Sequence, residues 1–161
     1  MTHPAHGSKV HRFKTHRRTI TETDIVSFVN VIGLHEPFFI DMEYVHSQMA
    51  GSHRSRFAPG PMIISLGMGL VAAQIAGVID AVLDGRDVGP FGGMTSVEAR
   101  LSGALFPGDT IHVEGEAWLR PTTSRGYTLM DLRHLVINQR VETIADFTET
   151  IAFLPKVACG N

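Results

Sequence analysis

The stretch 61–83, PMIISLGMGLVAAQIAGVIDAVL, constrains this chain more than any other, because Asp80 is its only charged residue. A continuous helix over it would be about 33 Å long at roughly 1.5 Å per residue. Its apolar residues (Ile63, Ile64, Leu66, Leu70, Val71, Ile75, Val78, Ile79, Val82) leave no polar face. A soluble helix of that kind is one buried on all sides. Gly67, Gly69, Ala72, Ala73, Ala76 and Gly77 let other backbone come close. Each glycine costs about 1 kcal/mol of helix propensity, so packing must hold the segment together. A membrane span is the competing reading on length and hydropathy. Gln74 in its middle, and the lack of an aromatic belt or basic flank, argue against a span.

A chain of 161 residues can bury one substantial core, and a net charge of −2 gives no reason to expect nucleic acid or an anionic membrane surface. Cys159 is the single cysteine, so no disulfide framework exists and a reducing cytoplasm is the expected setting. Residues 1–12 are polar and His-rich, which fits a disordered lead-in rather than a secretory leader. His3, His6, His11 and His16 have irregular spacing, and no metal is expected there. The folded domain is expected over 13–155, with 156–161 as a tail.

Residues 13–20 alternate well enough for a first strand. Thr21 then supplies an N-cap with acids in the first turn, Ile25, Phe28, Val29 and Ile32 follow at helical spacing, and Gly33 stops the helix. Pro37 pushes Glu36 towards extended geometry. A short helix is expected over 42–49, capped by Asp41, and a loop 50–60 leads to Pro61, placed where a first helical residue needs no N–H. Strands are expected at 95–105, 110–120, 127–138 and 141–154. The first two are joined by Phe106-Pro107-Gly108-Asp109, and His112 and His134 are expected on outward faces. Four successive strands without intervening helices imply an antiparallel meander with one buried face. The 61–83 helix is the one element long and apolar enough to fill it. The expected fold is therefore α+β, a single hot-dog domain with an antiparallel sheet wrapped around one buried helix.

Three stretches carry a resemblance to the MaoC-like hydratases and dehydratases: TETDIVSFVNVIG with the proline-containing loop ending at Asp41, the FAPGPM helix entry, and LSGALFPGDTIHVEGE. The resemblance covers about 18–154. It implies a hot-dog homodimer, or a higher homo-oligomer of dimers. It also implies hydration of an enoyl thioester, or dehydration of a 3-hydroxyacyl one, on coenzyme A or acyl carrier protein, with no further cofactor. The family's loop reads Asp-x-Asn-Pro-x-His, its aspartate and histidine activating one water. Here those two positions fall on Leu34 and Phe39, neither of which can transfer a proton. Gly60 does match the family's helix-opening glycine, whose N–H polarises the thioester carbonyl. The physics stands without the family: a helix N-terminus offers free N–H groups to a developing enolate oxygen.

The candidates to replace the missing pair are Glu36 as base, among apolar neighbours Leu34, Phe38 and Phe39, and His35 as acid. Phe39 and Met62 are expected to contact substrate, and Arg54 and Arg56 to bind a carboxylate or a coenzyme A phosphate. The same apparatus would serve a hot-dog thioesterase, and without proton chemistry the chain would be a binding or partner subunit. No GxSxG, CxxC or HExxH motif occurs, and Phe91-Gly92-Gly93-Met94 precedes a strand rather than a helix.

Overall fold

A computed structural model describes residue 4 and residues 9–48 and 55–156 of the chain. The element order is β1 (Val10–Lys14), β2 (Arg18–Thr19), α1 (Glu22–Ile32), α2 (Pro37–Ile40), α3 (Met42–Gln48), α4 (Gly60–Ala72), α5 (Ile75–Leu83), β3 (Phe91–Leu101), β4 (Thr110–Leu119), β5 (Thr128–Asn138) and β6 (Thr143–Phe153). Six strands form one antiparallel sheet in the order β1-β4-β5-β6-β3, with β2 also pairing β4. The helices α4 and α5 fill its concave face, which makes this the α+β hot-dog fold expected from the strand pattern.

Local chemistry sets the first helix. Thr21 and Asp24 form a reciprocal capping box, and Gly33 closes the helix in the left-handed region at φ 68°. The Asp41 carboxylate accepts from the Tyr44 N–H at 3.0 Å and so caps α3, whose Val45 is buried.

The long helix differs from its expected form. It breaks at Ala73–Gln74 into α4 and α5, whose axes differ by 72°. Gln74 leaves helical geometry at φ −127°, in a stretch of small residues that little side-chain packing holds straight. Each half then covers its own part of the curved sheet. Ile63, Leu70 and Val71 pack with Val113, Val136 and Phe147, whereas Val78 and Val82 pack with Ala117, Met130 and Ile151. Burial is also one-sided, since Pro61, Ser65, Gly69, Ala72 and Ala76 are exposed. Among the described residues no single helix is long and apolar enough to cross a membrane.

The sheet departs from the simple meander. β3 spans 91–101 instead of 95–105 and pairs β6 rather than β4. The Phe106–Asp109 turn forms, but Gly108 N–H donates to the Ile20 carbonyl and Ile20 N–H to that of Asp109. The connection therefore crosses from one edge of the sheet to β4, and on the way the Leu105 carbonyl accepts from Ala58 N–H just before α4. The first strand starts at Val10, where Val10–Lys14 finds a ladder along β4 from Trp118 to Glu114.

Candidate functional site

Gly60 is the first residue of α4, with extended Pro59 before it and Pro61 in the first turn. The Pro59 carbonyl accepts from the Met62 and Ile63 N–H groups, while among the described residues no backbone carbonyl accepts from Gly60 N–H. A free donor at a helix start is an electrophilic point for an anionic oxygen. Beside it lies a cavity of about 420 Å³, lined by Phe57, Ala58, Gly60, Ile63, Leu101 and the chain 102–104. No lining side chain is ionisable, and the one hydroxyl, that of Ser102, donates to the Thr143 carbonyl at 2.8 Å. The tip of the Leu101 side chain occupies the space where a Cβ on residue 60 would sit, so a larger residue there would have to displace it. The result is an apolar pocket with the backbone of Gly60 in its lining.

Phe39 joins this region through its ring, 5.3 Å from that of Phe57. Arg56 pins the same corner from behind: its Nε donates to Glu22 at 2.5 Å, and its Nη1 donates to the Phe39 carbonyl. Its guanidinium thus ties α1 to α2, with its side chain only 15% exposed. Met62 is 2% exposed and packs in the core, lining a second cavity with Phe28 and Leu66 between α1 and α4. Glu36 and His35 are both exposed, and neither lines the cavity at Gly60. The Glu36 carbonyl accepts from Phe39 N–H at 2.9 Å, and His35 N–H donates to the Gly33 carbonyl at 3.0 Å. Arg54 lies outside the described residues. The structure therefore brings together Gly60, Leu101, Phe57 and Phe39, and leaves the loop's acid and imidazole exposed and outside the cavity lining.

One histidine lies on the opposite face from the one the strand pattern predicts. His134 points inward, fully buried, with Nε2 3.0 Å from Glu149 Oε1 and its ring stacked on Phe147 at 4.4 Å. The signal for it was the phase of β5, because Leu132 and Val136, two residues either side, are core residues. His112 is outward as expected, yet only 6% exposed.

No protein-family model matches the chain, and no curated protein sequence does. Solved structures do. The chain is similar to a monoamine oxidase regulatory protein from Archaeoglobus, at 21% identity over 91% of this chain and 90% of that one, with a TM-score of 0.69. It is also similar to a MaoC-like dehydratase from Rhodospirillum rubrum, at 21% identity over 91% and 92%, TM-score 0.64. A third is the R-hydratase PhaJ1 of Pseudomonas aeruginosa, at 20% identity over 96% and 87%, TM-score 0.54. The chain has the hot-dog fold, in the form that MaoC-like dehydratases and (R)-hydratases share.

Proposed function

We propose that the chain is a hydro-lyase acting on an acyl thioester of coenzyme A or acyl carrier protein. The observation that carries this reading is the Gly60 N–H, to which no backbone carbonyl is bonded among the described residues, in the lining of an apolar cavity. In dehydration a base removes the proton from C2, the electrons pass to the thioester oxygen, and the hydroxyl on C3 leaves with a proton. The Gly60 N–H steadies the oxygen, an interaction that strengthens as charge develops. Leu34 and Phe39 hold no proton, so base and acid fall to Glu36 and His35, the ionisable side chains nearest them in the loop. The likeness to a dehydratase and an (R)-hydratase in fold supports this chemistry over others.

The homodimer is part of the same reading. β3 pairs β6 along one side, and its Phe91 and Met94 are exposed. A long, apolar edge strand is a template for a second chain. A second reading, a partner subunit that binds thioester without turning it over, is favoured by the exposure of Glu36 and His35 away from the cavity.

Purified protein offered crotonyl-, mesaconyl- and longer enoyl-CoA separates these cases. Loss of enoyl absorbance without free thiol supports the hydro-lyase, thiol release supports a thioesterase, and binding without either supports the partner subunit. With activity present, Glu36→Gln should lower kcat at least 100-fold, a typical contribution of general acid–base catalysis; unchanged kcat removes Glu36 from the mechanism.

A further inference from the structure

The inner face of β3 continues away from Gly60 as a bare apolar strip. Leu101, whose side chain lies against Gly60, is opposite Ala145 on β6; Ala99 is opposite Phe147, and Val97 is opposite Glu149. Residues directly opposite in an antiparallel ladder share a face, so these six side chains form two rows on the concave side. All three β3 members are exposed, Val97 at 39% and Leu101 at 46%. From Leu101 to Val97 the strip runs about 13 Å at about 3.4 Å per residue. It ends at Glu149.

That carboxylate is unusual in its setting. One oxygen, Oε1, is held by His134, itself fully buried behind it and stacked on Phe147. Among the described residues no donor engages Oε2, and the side chain keeps 14% of its surface in solvent. Leu132 and Ile151 belong to the apolar cluster beside it. A carboxylate fixed by a buried imidazole, with a spare acceptor turned to solvent among apolar side chains, is a recognition group for a hydrogen-bond donor.

We infer that the strip Leu101–Ala99–Val97 is the floor for a medium-length acyl chain, and that Glu149, positioned by His134, reads a hydroxyl or amine at its far end. This rests on the thioester head being held at Gly60. The substrate class is then an acyl thioester with a polar distal end, which a chain of plain methylenes would satisfy poorly because it would leave Glu149 Oε2 desolvated without a donor.

Isothermal titration of the full-length protein with butyryl-CoA, decanoyl-CoA and ω-hydroxydecanoyl-CoA tests it. The ω-hydroxy ligand should bind about tenfold tighter than decanoyl-CoA, the size of one hydrogen bond to a charged acceptor. Glu149→Leu should erase or reverse that ratio. Because that substitution leaves His134 buried without its partner, the double variant Glu149→Leu/His134→Phe, apolar at both positions, should show the same reversal in a cooperatively folded protein. Val97→Phe, at an exposed position, should lower the affinity for decanoyl-CoA relative to butyryl-CoA about tenfold. Equal binding of the two decanoyl ligands, with butyryl-CoA bound, overturns the distal site and leaves the Gly60 reading standing. Absence of butyryl-CoA binding overturns both.

Discussion

Val141 stands at φ +64° in the turn between β5 and β6, 83% exposed, where a β-branched side chain is strained and gains nothing from packing. Val141→Gly, or Val141→Asn, should raise stability by about 1 kcal/mol, read as a higher urea midpoint with an unchanged slope. Around the same turn, burial works against the charge on Asp109. The donors Gln139, Phe106 N–H and Arg140 outweigh it and hold the carboxyl below its usual value of 3.8. A depressed folded value means that this stabilisation is complete above the ordinary carboxylate range and is lost as pH falls below 3.8 towards the folded value. Acid melts of the wild type and of Asp109→Asn should therefore converge at low pH; a constant gap between them would remove Asp109 from the acid response. Residues such as these are poorly legible in a sequence, because φ and a four-member polar cluster depend on the chain closing around them. Gly33 and Thr21 are the opposite case, since a cap needs only its neighbours.

At the scale of elements, the α4 segment and the sheet are legible from hydrophobic pattern alone, and the break between α4 and α5 is not. Pattern reports that a face is apolar, whereas the 72° turn at Ala73–Gln74 answers to the curvature of the sheet beneath. The same limit hid the order of strands: alternation marked β3 and β4, but the Ile20–Asp109 and Gly108–Ile20 bonds send the chain between them across the sheet. Close approach of α4 to the sheet depends on Gly67, where an added Cβ would lie 2.8 Å from the Phe147 ring and 3.0 Å from Val136. Gly67→Ala should thus destabilise the protein by about 1–3 kcal/mol despite its better helix propensity, the usual result of overpacking a filled core. A rise in thermal midpoint would show that α4 can lift without loss.

For the whole molecule, the exposed large hydrophobic residues fall mainly in two places: Val31, Ile32, Phe38 and Ile40 near α1 and α2, and Phe91, Met94, Val97 and Leu101 on β3. Patches of this kind mark surfaces that a ligand or a second chain covers, and Phe91 and Met94 lie outside the acyl strip. Sedimentation should show a dimer, and Met94→Lys should shift it towards monomer by placing charge on the edge; a monomeric wild type would contradict the paired-edge arrangement. The loop 34–41 is where sequence said most about function and the structure added most. Leu34 and Phe39 stand where the resembled family carries its acid–base pair, and the structure places the Phe39 ring 5.3 Å from that of Phe57, in the wall of an apolar pocket.

The proposed contact between Gly60 N–H and the thioester oxygen is isolated by a pair of variants. In a Leu101→Ala background, which makes room for a side chain, Gly60→Ala keeps the donor and Gly60→Pro deletes it while suiting the first turn of a helix. With crotonyl-CoA as substrate, the proline variant should show kcat at least 100-fold below the alanine variant, with matching far-UV circular dichroism. Equal kcat values in the two would contradict the claim.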